Sequence, residues 1–387
     1  VRIGGTVAAG YEGVRAAFEA DQAGDPGSAQ LSVYRDGAPI VDLWAAADDR
    51  PGFDGDALVV LRSTTKGALA ACMAILVDRG LLDVAAPVAR YWPEFAARGK
   101  EHVTTAHLLT HTAGLPGFPP SSGIHAAADL ADWDRCVEAL ADAELLWRPG
   151  ATQGTYHSFT IGYLAGEVLR RITGRTVGRF FADDVAGPLG LDFWLGLPAE
   201  QEARVVPYGV ADPTAPTTPV NAAQWAAAGW DVDDPAIAAI IASFEAFPDA
   251  GDLLNSREGH AIQFPSGNGI ANARSVARMY AALVGPVDGV RLVSPETLDF
   301  VRTNRTRHLP PLPGMPTPEL GPDQGWGLGF ALSEPMRGCF GHAGAGGVQG
   351  FGHPELGIAA AYVCTTMMGP EAPRTTWIAA LEEAMSR

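Results

Sequence analysis

The sequence predicts an α+β protein: an antiparallel sheet formed from both chain ends, flanked by terminal helices, with an inserted, mostly helical region between them. Three observations predict it. Strand patterns lie near both ends, at residues 31–44 and 327–365. The stretch from Ser63 to about residue 200 is mostly helical in pattern. Amphipathic helices at 11–23 and 375–385 sit where they can pack on a sheet. On this reading residues 1–62 and 266–387 form the sheet region, residues 63–265 the helical region, and a cleft between them is the place for a site.

Each element has its own warrant. In 11–23, Val14, Ala17 and Phe18 share one side. Leu31-Ser32-Val33-Tyr34 alternates as a strand, Arg35-Asp36-Gly37-Ala38 is a turn, and Ile40 to Trp44 returns as the second arm of a hairpin. Residues 68–77 are apolar on nearly every face, which predicts a buried central helix ended by Arg79-Gly80. A helix over 159–172 carries Ile161, Leu164, Ala165, Val168 and Ile172 on one stripe, with Ser158 as N-cap and Gly174 as stop. Residues 201–265 alternate helical and loop signals, and 271–283 are helical. A Pro-rich loop covers 309–322. Strands are expected at 327–332, 346–351 and 358–365, the last two joined by a turn at Glu355-Leu356-Gly357.

The chemistry starts from lysine usage. Of 27 basic residues only Lys66 and Lys100 are lysines. Arginine cannot lose its proton at any usable pH, whereas a desolvated lysine can, so Lys66 can serve as a base. It lies three residues after Ser63, in Ser63-Thr64-Thr65-Lys66-Gly67. That spacing places hydroxyl and amine on one helical face. A serine at the start of a buried helix also meets free N–H donors and the positive end of the dipole. The plainer reading makes Ser63 an N-cap and Lys66 a snorkelling side chain. Lys100, in Arg98-Gly99-Lys100-Glu101, reads as a solvated surface residue.

Two further stretches can complete a site. Residues 147–158 form an irregular Pro- and Gly-bearing loop that delivers Tyr156 before a buried helix. A phenol there shuttles a proton if a neighbouring cation lowers its pKa, or it simply packs at the helix entrance. Gly341-His342-Ala343-Gly344-Ala345-Gly346-Gly347 carries four glycines. It reads either as an exposed edge strand offering N–H groups to a carbonyl oxygen, or as a bend. His342 orients a substrate or points to solvent; it is not read as the base.

Composition excludes several classes. The chain is 47% hydrophobic and 18% charged, enough to bury a sizeable core. A net charge of −17 speaks against nucleic acid or an anionic membrane as partner. No span-length apolar run and no leader pattern is visible, so a cytoplasmic location is expected; a leader removed ahead of Val1 stays compatible with it. Cys72, Cys136, Cys339 and Cys364 are scattered, as expected of buried free thiols. Metalloprotease, nucleotide-binding and α/β-hydrolase motifs are missing from the sequence. No metal or organic cofactor is implied, and the chain is expected as monomer or homo-oligomer.

Ser63-Thr64-Thr65-Lys66, Tyr156-His157-Ser158 and His342-Ala343-Gly344, in this order and at these separations, resemble the serine β-lactamase and penicillin-binding-protein superfamily. The match is to its class C-like branch, which contains the family VIII carboxylesterases. Residues 107–116, Gly187-Pro188-Leu189-Gly190-Leu191 and Gly267-Asn268-Gly269 are similar too, and the resemblance weakens across 201–260 and 303–322. It implies a β-lactamase/transpeptidase-like fold, with Ser63 as acylated nucleophile, Lys66 as its partner and Tyr156 as general base. The backbone N–H groups of Ser63 and Ala345 would form the oxyanion hole, and Ser158, His342, Ala343 and Gly344 would contact substrate. The chain departs twice from the β-lactamase pattern: His342 stands where a lysine would anchor a substrate carboxylate, and Ser158 where an asparagine would contact the β-lactam side chain. Both departures point to a serine carboxylesterase acting on small or medium esters. β-Lactam hydrolysis, D-aminopeptidase-like amide hydrolysis and acyl transfer would use the same acyl-enzyme. A non-catalytic scaffold is the reading from another class. Arg305 or Arg307 would be the anchor a β-lactamase or peptidase needs, and Trp225, Trp230, Phe244 and the 309–322 loop either line an acyl pocket or belong to ordinary core.

Overall fold

The computed structural model describes residues 1–211, 221–247, 250–316, 321, 323–368 and 374–386. Among these, eight strands form one antiparallel sheet: β1 (Arg2–Val7), β2 (Ala29–Arg35), β3 (Ala38–Ala46), β4 (Gly325–Trp326), β5 (Ala331–Leu332), β6 (Phe340–Gly344), β7 (Val348–His353) and β8 (Ile358–Cys364). Their order is β1-β3-β2-β8-β7-β6-β5-β4. The two chain ends therefore meet at the centre, where Leu31 of β2 faces Tyr362 of β8. This is the architecture the sequence pattern predicts.

Helices cover both faces. α1 (Glu12–Ala23) and the C-terminal α5 (Thr376–Met385) share one face, where Phe18 meets Tyr362 edge-on and Trp377 stacks on Phe351. α4 (Ala273–Val284) packs on the other face, against β2, β7 and β8. Double coverage explains why every residue of β8 is buried and why its sequence is a continuous apolar run rather than an alternating one.

α2 (Thr65–Asp78) is the central helix, buried continuously from Thr65 to Leu76. α3 (Ile161–Thr173) packs beside it, and Gly174 ends α3 in the left-handed region as expected. Its start corrects the sequence reading. Ser158 is not the N-cap; Thr160 is, and its hydroxyl donates to the Leu115 carbonyl (2.7 Å) instead of capping. The orphan N–H of Gly162 is satisfied by the Ser266 hydroxyl at 2.8 Å, 104 residues away. A sequence window cannot contain that partner.

Strands also depart from expectation. β1 was not predicted, β6 takes the strand alternative for 341–347, only Ala331–Leu332 of the expected strand 327–332 forms, paired with Gly325–Trp326 just outside it, and 346–351 begins with a 3-10 turn at Ala345–Gly347 before β7. Residues 317–320 and 322 of the expected Pro-rich loop, and 212–220 and 248–249 of the alternating stretch, lie outside the described residues. Trp225, Trp230 and Phe244 pack on one another, ring centroids 4.9–6.2 Å apart, and with Ile237, Ile240, Ile241 and Leu312 they form a satellite core. They take the core alternative of the sequence reading.

Candidate active site

Ser63 lies on a 3-10 turn, Arg62–Thr64, that leads into α2. Arg62 holds φ at +51°, a left-handed conformation uncommon for a residue other than glycine, directly before the serine. The segment 266–269 braces this start. Gly269 N–H donates to Thr65 Oγ1 (2.9 Å), Leu61 N–H donates to the Gly269 carbonyl (2.8 Å), and Lys66 Nζ donates to the Ser266 carbonyl (2.7 Å). Asn268 is buried and spends its amide on the carbonyls of Gly259 and Ile262, so it holds the loop.

Lys66 Nζ is 3.2 Å from Ser63 Oγ, as the i, i+3 spacing predicts. The lysine is 3% exposed, and burial holds its pKa well below that of an ordinary lysine, with no carboxylate to offset the effect. The same amine sits 4.9 Å from the centre of the Tyr156 ring. It meets the face of the phenol. Burial therefore pushes the Tyr156 hydroxyl up, and a hydrogen bond from Ser63 only partly pulls it back. The expected lowering of this phenol by Lys66 is not what the geometry produces; Tyr156 is a protonated phenol at neutral pH.

β6 forms the opposite wall. Its start is internal, because β5 pairs with Phe340 and Gly341; only His342–Gly344 lie beyond β5 on that side. The expected edge is thus half a strand. Gly344 runs so close to the Ser63 turn that a Cβ would lie 2.6 Å from the Leu61 carbonyl oxygen. Thr64 Oγ1 donates to the Val348 carbonyl (3.2 Å), so the 345–347 turn that carries Ala345 is pinned beside Ser63 at both ends. Ala343 and Ala345 are exposed, Gly344 and Ser158 half-buried.

His342 is 6% exposed and points inward, not to solvent. Its Nδ1 lies 2.6 Å from the Ala343 carbonyl, which can only accept, so Nδ1 carries the hydrogen. Nε2 is then a bare acceptor, 3.4 Å from the Tyr156 hydroxyl. Burial and the Lys66 charge push its pKa down to about 3. The imidazole is therefore neutral at neutral pH.

Two residues here escaped the sequence reading. His111 lies 4.9 Å from the Tyr156 ring and 4.3 Å from that of Trp326, and Trp326 stacks on Tyr156 at 6.0 Å. His111 Nδ1 accepts from the His157 N–H (3.1 Å), which fixes the loop next to the phenol. The only sequence signal was the position of His111 inside the 107–116 stretch.

A family model described as Beta-lactamase matches residues 14–385. The chain belongs to the beta-lactamase family. Within that family it is similar to "Esterase/beta-lactamase LipL" of Mycobacterium tuberculosis, 34% identical over 353 residues, 89% of this chain and 78% of that protein. Among solved structures it resembles a family VIII carboxylesterase, at 30% identity, with a TM-score of 0.83 and all of both chains covered. It also resembles a penicillin-binding-protein homolog from Caulobacter crescentus, at 32% identity and a TM-score of 0.81, covering 99% of this chain and 100% of that one.

Several side chains that could complete a beta-lactamase-type site are engaged elsewhere. Arg305 lies over the Phe300 ring and donates to the Phe300 carbonyl, and Arg307 pairs with Asp323 at 3.6 Å. Lys100 is fully buried, contrary to the surface reading: Nζ donates to the Ala141 carbonyl (2.8 Å) and to that of Ala143, capping the C-terminal end of the 133–142 helix. Burial lowers its pKa to about 8. Among the described residues no cluster of metal-ligating side chains occurs and no helix is long and apolar enough to cross a membrane.

Proposed function

We propose that this chain is a serine carboxylesterase that cleaves small or medium esters through an acyl-enzyme on Ser63. One observation carries the reading: a serine hydroxyl 3.2 Å from a buried lysine amine whose pKa is held low by burial alone. Neutral Lys66 accepts the proton of Ser63 as Oγ attacks the ester carbonyl. The oxyanion lies between the N–H groups of Ser63 and Ala345, each such donor typically contributing about 3 kcal/mol to the barrier. Tyr156, a protonated phenol, donates to the leaving alcohol and is reprotonated by Lys66, so the pair returns to its starting state. Water then cleaves the acyl-enzyme, losing its proton to the same pair while Ser63 Oγ is reprotonated. His342 receives a hydrogen bond from Tyr156 and, with Ser158, Ala343 and Gly344, borders the substrate. The division into residues 1–62 with 266–387, and 63–265, belongs to this proposal, with the site in the cleft between them.

The ester reading is favoured over β-lactam or peptide hydrolysis by charge. His342 replaces the expected lysine and is neutral, while Arg305 and Arg307 are turned to other partners. A substrate carboxylate therefore lacks a cation on that strand. Relatives named esterase, esterase/beta-lactamase and family VIII carboxylesterase support an ester substrate. Four buried free cysteines fit a reducing, cytoplasmic setting. The test compares turnover of a short p-nitrophenyl ester with that of a cephalosporin, each with the wild type and Ser63→Ala. The reading expects ester turnover to exceed cephalosporin turnover and to vanish in the variant. Faster cephalosporin turnover would replace it with the β-lactamase reading.

A further inference from the structure

We infer that Arg374, anchored by Asp25, is a positioning residue that sets the oxyanion-hole turn against the nucleophile turn. The inference rests on the proposed acyl-transfer reading. Arg374 is 3% exposed and lies at the far end of the chain, directly before α5. Its Nε donates to the Asp25 carboxylate (2.7 Å), and its Nη1 donates to the carbonyls of Gly346 and Thr366, the latter at 2.7 Å. The same Nη1 lies 3.1 Å from Cys364 Sγ. Asp25 is fixed in turn by the Gly27 N–H (2.8 Å).

Gly346 is the residue after Ala345, so Arg374 grips the carbonyl next to the proposed oxyanion donor. The turn folds down on it: Gly346 has φ +75° and a Cβ there would meet Met367 Cα at 2.6 Å, while a Cβ on Gly347 would lie 3.1 Å from Arg374 Cδ. The second donor is tied to the same node. Arg62, the residue before Ser63, is 4% exposed and directs Nη2 to Cys364 Sγ at 3.5 Å. Two buried guanidiniums thus converge on one sulfur, one holding the turn of Ser63 and the other the turn of Ala345. No group in this node touches Ser63 Oγ or Lys66 Nζ in the contacts observed, so its effect on the chemistry runs through the backbone. A rigid guanidinium fork suits this role, because it fixes several acceptors at set angles where an ammonium's donors rotate on a flexible stem. The hole is useful only if its two N–H groups point at the same oxygen, and small misplacements there are costly.

The test is Arg374→Lys, which keeps a positive charge beside Asp25 and loses the fork. Three quantities are read: steady-state kinetics on a p-nitrophenyl ester, affinity for an alkyl boronic acid that forms a tetrahedral adduct, and melting temperature. Ser63→Ala is run in parallel. The expected result is a kcat lower by roughly 10- to 100-fold with KM within about twofold, and boronate affinity weakened in step. A merely structural residue would shift the melting temperature without that split. Should Arg374→Lys fail to fold, Asp25→Asn, which leaves the guanidinium in place and loosens its anchor, is read in the same way. A folded variant with wild-type kcat and boronate affinity overturns the inference. If Ser63→Ala retains ester turnover, the acyl-enzyme reading itself fails, an outcome separate from the first.

Discussion

Replacing Lys66 by arginine keeps a positive charge and removes a base, and the site geometry sets the size of the effect. Lys66 Nζ stands 3.2 Å from Ser63 Oγ and 2.7 Å from the Ser266 carbonyl. Burial holds its pKa well below the ordinary lysine value, which favours the neutral amine that the proposed attack by Ser63 requires. A guanidinium cannot supply one. Positioned general bases contribute about 100- to 10,000-fold, or roughly 3–5 kcal/mol of barrier at about 1.4 kcal/mol per decade. The assay is kcat/KM on a p-nitrophenyl ester across pH 5–10, for wild type, Lys66→Arg and the near-isosteric Lys66→Met. Both variants should fall within that range. The wild-type rate should rise with pH through the Lys66 titration, on a limb lying below that of a free lysine. A folded Lys66→Met or Lys66→Arg with more than a tenth of wild-type activity would refute the assignment of the proton to Lys66.

Tyr156→Phe removes the hydroxyl and leaves the ring that Lys66 and Trp326 pack on; kcat should fall roughly 100-fold with little change in KM, as general acid loss predicts. Gly344→Ala places a methyl 2.6 Å from the Leu61 carbonyl, and the overpacking should cost about 1–3 kcal/mol, seen as a lower melting temperature together with reduced kcat. Lys66→Met should also stabilise the protein. The folded state releases the Lys66 proton at lower pH than the unfolded chain does, so between the two pKa values the unfolded state binds more protons and wild-type stability rises with pH. The variant's advantage, about 1–2 kcal/mol near neutral pH, should shrink as pH approaches 10.5 in chemical denaturation curves.

The outcome shows which kinds of information a linear pattern carries. Helical periodicity and the 31–44 hairpin are local, and they appear where predicted, as does the meeting of both chain ends in one sheet. β6 stayed open between an edge strand and a bend because glycine and alanine at 341–347 give no alternation; those residues are small because the Ser63 turn presses on them at Gly344. β1, with Gly4 and Gly5 inside it, is an edge strand that needs little apolar surface. The pairing of Ser63 and Lys66 was legible because three residues and one helix turn define it. The meeting of Tyr156 with His342 joins residues 186 apart, and only resemblance linked them beforehand. His111 had only its place in the 107–116 stretch, and Trp326 and Arg374 had no such signal. Lys100 was misread because the polar run around it is real, while Arg98 and Gly99, at φ +58° and +74°, turn the chain so that its side chain goes under the 133–142 helix.

Peptide mapping after fluorophosphonate treatment tests the account most directly. A single adduct should form on the peptide that holds Ser63, at one per chain, with ester turnover lost in proportion to labelling; Lys66→Met should slow its formation. Active protein that stays unlabelled at Ser63, or that loses activity through an adduct elsewhere, would contradict the account.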